Sequence, residues 1–128
     1  MANTTIVSQS TPSGFSAIAI IRLSGSSSIE ISKKISKNKK PLKHRIAEVR
    51  NVFSGEDLID QAVFTAFLSP NSYTGEDIVE ISCHGNVHLC EATINEIVKL
   101  GARIADPGEY TKRAFVNGKL NLLQAESV

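Results

Sequence analysis

At 128 residues the chain suits one domain with a real hydrophobic core, and its 41% hydrophobic and 21% charged residues are ordinary for a soluble globular unit. Fourteen lysines and arginines against thirteen acids leave a net charge of +1, which argues against a dedicated nucleic-acid binder, whose domain would be clearly basic. No apolar run approaches the roughly eighteen residues of a membrane span and MANTTIVSQS lacks the regions of a secretory signal, so a cytoplasmic location and two reduced thiols, Cys83 and Cys90, are expected.

In chain order, residues 4–9 and 16–24 are apolar and β-branched enough for two strands, with Thr11-Pro12-Ser13-Gly14 as the turn between them. Ser26 to Ser28 offers caps for a helix through about Ser36. The basic tract Lys33, Lys34, Lys37, Lys39, Lys40, Lys43, His44, Arg45 reads as a solvated helix end and loop, with an RNA-contacting edge as the competing reading. Strands over 46–53 and 59–68 flank Ser54-Gly55-Glu56-Asp57, a hairpin with a four-residue loop. A loop at 70–75 leads into a strand over 77–83. The clearest helix covers 87–100, with Cys90, Ile94, Ile97 and Val98 on its apolar stripe, Asn86 as N-cap and Gly101 left-handed at its end. A short strand over 102–105 precedes a helix over 109–116, which Asn117-Gly118 ends. Another helix opens at Asn121 and reaches Val128 with no stop signal, which suggests that the natural chain continues. Strands in two clusters with interspersed helices predict an α+β fold with a mixed or antiparallel sheet.

Three charged residues stand out by their surroundings. In strand 77–83, alternation puts Val79, Ile81 and Cys83 on one face and Ile78, Glu80 and Ser82 on the other. Glu80 offers two acceptor oxygens to a ligand with paired N–H donors, or forms a salt bridge to Arg22, Lys119 or another cation. Arg22 interrupts the apolar run Ala17–Leu23, so it must reach the surface, pair with an acid or bind an anion. Lys119 lies between two helices, beside backbone N–H groups at the Asn121 start that suit a carboxylate or phosphate. His84, His88, Cys90 and Glu91 are loosely spaced for a metal; both cysteines read more simply as apolar filler. The sequence contains no G-x-x-x-x-G-K-[ST], G-x-S-x-G, H-E-x-x-H or G-x-G-x-x-G, which speaks against a self-contained hydrolase or nucleotidase.

PNSYTGEDIVEISCHGN, GARIADPGEYTKRAFVNGKLNLLQAESV and, more loosely, TIVSQSTPSGFSAIAIIRLSG resemble the N-terminal domain of the tRNA-modification GTPases called MnmE or TrmE. The resemblance implies a fold similar to the folate-binding domain of aminomethyltransferases, a homodimer formed through this domain, and a 5-formyltetrahydrofolate site near the dimer interface. It associates Arg22, Glu80 and Lys119 with that folate. Residues 1–118 would be the folate-binding and dimerisation domain, and 119–128 the start of a helical domain. In the full-length protein the resemblance implies a separate GTPase domain that binds GTP, Mg2+ and K+. It also implies action with MnmG on the wobble uridine of tRNA, adding a carboxymethylaminomethyl group; this chain alone would supply no catalysis. Phe15 and Ser16 stand where the family's first turn is glycine-rich, Asn86 replaces a glycine, and Asn121 replaces an aspartate. A dimerisation or docking scaffold whose folate pocket Phe15 closes, and a stand-alone folate enzyme of the aminomethyltransferase type, are the alternatives.

Overall fold

The computed structural model describes residues 4–12, 14 and 17–121. The expectations for Phe15, Ser16 and the helix beyond Asn121 lie outside them. The described chain forms β1 (Ile6–Gln9), β2 (Ile18–Ser24), α1 (Ser28–Ser36), β3 (Glu48–Ser54), β4 (Asp57–Phe67), β5 (Ile78–His84), α2 (Val87–Lys99), β6 (Arg103–Ile104) and α3 (Glu109–Val116). The six strands make one sheet in the order β3-β4-β5-β2-β1-β6, antiparallel except for the parallel β1–β6 pair. The fold is therefore α+β with a mixed sheet, as the sequence predicts. None of the described helices is long and apolar enough to cross a membrane.

Strand alternation gives the sheet two unlike faces. Ala19, Ile21 and Leu23 of β2 lie opposite Cys83, Ile81 and Val79 of β5, and Phe64 and Ala66 of β4 continue the row. All eight are buried, in a core that also takes Ile31 and Ile35 of α1 and Cys90 and Ile97 of α2. Removing a side chain of that kind from water contributes about 1.5–3 kcal/mol. The other face presents Ser8, Arg22, Thr65, Glu80 and Ser82, and α3 reaches it through Tyr110.

Local chemistry explains most element ends. Asn86 caps α2, its side chain accepting from the backbone N–H groups of His88 and Leu89. Lys37 ends α1 in the left-handed conformation. The serines before α1 make no side-chain cap; instead the Ser27 N–H donates to Thr5 Oγ1. Gly25 sits at φ +143° against Thr5, where a Cβ would lie 2.5 Å from the threonine hydroxyl oxygen.

Three expectations are corrected. The hairpin closes on two residues, Gly55-Glu56, because Ser54 and Asp57 are themselves paired. A bulge takes up the difference: Val52 faces Asp60 while Phe53 faces Leu58, leaving Ile59 as the extra residue. On α2, Val98 is 37% exposed and Thr93 lies inside at 1%. The threonine's hydroxyl is satisfied by the Leu89 carbonyl at 2.8 Å, which lets a polar residue fill that position. Strand β3 starts at Glu48 rather than 46, since Arg45 at φ +60° turns the chain after His44 bridges Ala66.

Candidate functional site

Arg22 and Glu80 are direct cross-strand partners on β2 and β5. The Arg22 Nε and Nη2 groups both donate to Glu80 Oε2, at 3.0 and 2.7 Å. Oε1 accepts no hydrogen bond from any described residue, which leaves half of the carboxylate's accepting capacity unused. The pair is about a quarter exposed, which makes it a partly wet ion pair rather than a buried one. Beneath it, Tyr110 of α3 fixes the arginine: its ring centroid is 5.6 Å from the guanidinium carbon, and its hydroxyl donates to the Arg22 carbonyl at 2.7 Å. The same hydroxyl accepts from Ser8 Oγ at 3.0 Å. Burial pushes the Tyr110 phenol above its ordinary value, so it stays a donor at neutral pH.

This pair forms the floor of a cleft of about 520 Å³, within the usual range for small-molecule sites. Lys119 lines the same cleft, so the structure brings together all three residues singled out in the sequence. Phe67 and Ile78 complete the floor; Tyr73 and the His44-Arg45 turn supply walls. Among the described residues, three cationic side chains, Arg22, Arg45 and Lys119, line the cleft with one carboxylate, Glu80, a local excess of two positive charges. His44 Nδ1 accepts from the Leu68 N–H at 2.9 Å, which leaves its proton on Nε2.

Lys119 owes its place to a clamp between α3 and the loop 68–77. The Asn117 side-chain amide donates to the Thr74 carbonyl at 2.7 Å, and Tyr73 and Thr111 share a hydroxyl contact at 3.1 Å. Gly75, at φ +81°, lets the turn after α3 close in: a Cβ there would lie 3.1 Å from Asn117 Cβ and 3.6 Å from Lys119 Cγ. Behind the clamp, Arg113 is 5% exposed and donates to Glu76, Glu109 and the carbonyls of Ser24 and Thr4. Glu109 also binds Arg103 and the Asp106 N–H; the Arg103 hydrogen bonds first, then the other two groups, hold its carboxyl down at about 2.

The sequence does not single out Tyr110, Tyr73 or the Arg113 network, and it offers Arg45 only as part of the basic tract, not of this cleft. The Glu109/Arg113 spacing of four on one helix was a usable signal for the network; the others depend on tertiary placement. The loose His/Cys cluster disperses: His84 Nδ1 lies 2.7 Å from Asp60 Oδ1, and both cysteines are buried. No group of three or more candidate metal ligands gathers among the described residues.

Comparison with known proteins places this geometry in context. The family described as GTP-binding protein TrmE N-terminus matches residues 5–119. A protein of Fervidobacterium nodosum named tRNA modification GTPase MnmE is 48% identical over 130 residues, covering 97% of this chain and 28% of the relative. Proteins of the same name from Nitratiruptor sp. and Aquifex aeolicus are 44% and 47% identical, over 98% and 96% of this chain. The chain spans about 28% of the length of these curated relatives.

Proposed function

The chain belongs to the TrmE N-terminal family, and from that membership we propose that it is the folate-binding and dimerisation domain of a tRNA-modification GTPase. The observation that carries the folate reading is a cleft lined by Arg22, Arg45 and Lys119 together with Glu80, whose Oε1 accepts no hydrogen bond from any described residue. A reduced pterin presents an amino-pyrimidine edge of N–H donors, which suits a carboxylate acceptor. Its glutamyl tail is a dianion, which suits a local excess of two positive charges, and the Tyr73 and Phe67 rings offer flat apolar surface to the pterin. The proposed ligand is 5-formyltetrahydrofolate or a related derivative, and Arg22, Glu80 and Lys119 are its proposed contacts.

In this reading residues 1–118 form the binding unit and 119–128 begin a helical domain. The homodimer forms through this domain. GTP, Mg2+ and K+ bind elsewhere in the full-length protein, which acts with MnmG on the wobble uridine of tRNA. This chain holds the folate and the dimer together. The test is calorimetric titration of 5-formyltetrahydrofolate into the parent chain and Glu80→Ala. Saturable binding that weakens at least about tenfold in the variant is expected, the loss of one charge-assisted contact being of that order. Absence of saturable binding to the parent at near-millimolar ligand overturns the reading.

The Arg22–Glu80 pair also supports a second reading, since a cross-strand ion pair can be purely structural. The domain would then be a dimerisation and docking scaffold. A dimer in sedimentation whose stability and mass ignore folate favours that alternative.

A further inference from the structure

Seven of the fourteen lysines and arginines, Lys33 to Arg45, fall within thirteen residues that contain no acid. Since the chain as a whole carries +1, the remainder carries −6 (1 minus 7), so the molecule is electrically polar despite its neutral total. At the middle of this tract the end of α1 and strand β3 enclose a second cleft, of about 560 Å³. Lys37, Lys39, Lys40 and Arg50 line it, and no acidic side chain among the described residues does. The amides of Asn38, Asn51 and Gln61 supply the rest of its polar wall. This distinguishes it from the folate cleft, with Glu80 in its floor, and from the surface around Arg103, where Asp106 and Glu109 interleave with the cations.

The cations are held, not merely collected. Lys37 takes the left-handed cap position, its N–H donating to the Lys34 carbonyl, and the Asn38 N–H donates to Lys33. Asn38 Oδ1 accepts from the Lys40 N–H at 3.0 Å, closing a tight turn that presents Lys39 and Lys40 to solvent. From behind, Arg50 Nη2 donates to the Lys40 carbonyl at 2.7 Å. Arg50 is 3% exposed, is paired with Glu48 through Nε, and its Nη1 has no hydrogen-bond partner among the described residues. Arg50 is thus a brace behind the cleft, its charge paired with Glu48 and its Nη2 spent on the Lys40 carbonyl, which leaves the exposed Lys39 and Lys40 to set the positive potential there. Lys37 is partly engaged already, 3.6 Å from Glu56 and over the Phe53 ring, whereas Lys39 and Lys40 are exposed and have no ion-pair partner among the described residues.

Charge without an aromatic stacking surface in the lining suits phosphate rather than bases. We infer that this cleft seats the phosphodiester backbone of an RNA, contacted by Lys39 and Lys40 and held in register by the Arg50-braced turn. The choice of RNA over other phosphates rests on the tRNA-directed reading above; the phosphate chemistry does not. Recognition of this kind is insensitive to base sequence and steep in salt.

The test is fluorescence anisotropy of a labelled RNA stem-loop with the parent chain, Lys39→Gln/Lys40→Gln, and the control Lys99→Gln/Lys112→Gln, which removes equal charge from α2 and α3. Thermal melting establishes that each variant is folded. The parent is expected to bind with affinity falling as salt rises. The first variant should bind roughly tenfold more weakly, with a log–log salt slope shallower by about 1.4 to 1.8, the loss of two phosphate contacts. The control should match the parent. Equal weakening in both variants, parent-like binding by the first, or no RNA binding by the parent overturns the inference. So does displacement of the RNA by polyglutamate or by inorganic phosphate at equal charge concentration, which would mark an acidic-peptide or small-anion site. Folate titration of the same variants separates this outcome from failure of the folate reading, because neither lysine lines that cleft.

Discussion

Single residues show how strongly position overrides chemistry in this molecule. Cys83 lies on the core face of β5, 4% exposed, and its thiol is pushed up to about 12, first by burial and then by Cys90 beside it. A thiol held that far from ionisation is a poor nucleophile. Native protein at pH 8 is therefore expected to react with iodoacetamide very slowly at Cys83, with modification appearing only when urea opens the fold. Prompt labelling of Cys83 in the native state, read by mass spectrometry, would contradict this. At the same scale the site was partly legible. The oddity of Arg22 in an apolar run and of Glu80 on a half-apolar strand was visible in the letters. A salt bridge between them was one of the readings the letters allowed, but the choice of Arg22 over Lys119 depends on a register between strands, the two residues lying 58 apart in the chain. Tyr110, which fixes Arg22, looks like an ordinary helix residue until α3 is placed across the sheet.

Among the elements, the ones bounded by local chemistry were read well. The caps of α2 and the stop of α3 are written in Asn86 and Asn117-Gly118, and both helices lie where those residues put them. The two-residue hairpin turn, the bulge beside it and the inward Thr93 were missed for a common reason. Each is settled by what packs across from it, not by its own neighbours in sequence. The loop 68–77 is an element on which the proposed folate cleft depends, and Gly75 is where it closes against the turn after α3. A side chain there would meet Asn117 and would have to hold φ near +81°, which costs a non-glycine residue about 1–2 kcal/mol. Gly75→Ala is accordingly expected to lower stability by about that amount in urea unfolding. Because the displaced turn carries Lys119, the same variant should also weaken folate binding. A variant that unfolds at the parental urea concentration and binds folate normally would sever the proposed link between loop and site.

For the whole molecule, the Arg103–Glu109–Arg113–Glu76 network ties α3 to the start of the chain, the end of β2 and the loop above the cleft. Its pH behaviour follows from Glu109, whose folded carboxyl is depressed to about 2 from an ordinary 4.5. A depressed carboxylate stabilises the fold in full above its unfolded value and loses that contribution as pH falls through the folded one. The window is therefore roughly pH 4.5 down to 2. Glu109→Gln should be less stable than the parent at pH 7, and the gap should narrow as pH falls across that window. Parallel stability curves, followed by urea unfolding at each pH, would show that Glu109 is not the responsible group.

The place of β1 in the sheet has a consequence for how the chain is made. Val7 is flanked by Leu23 on one side and Ile104 on the other, so β1 waits for β6, nearly a hundred residues later, before its second edge is covered. The three cleft residues are likewise spread over Arg22, Glu80 and Lys119. Long-range closure of this kind is slow, because loop entropy is lost before the contacts that offset it can form. During synthesis the β1–β2 hairpin can pair early, but neither the finished sheet nor a ligand-ready cleft exists until Lys119 has emerged. In the proposed reading, folate stabilises only the completed domain, because the nascent one lacks the cleft.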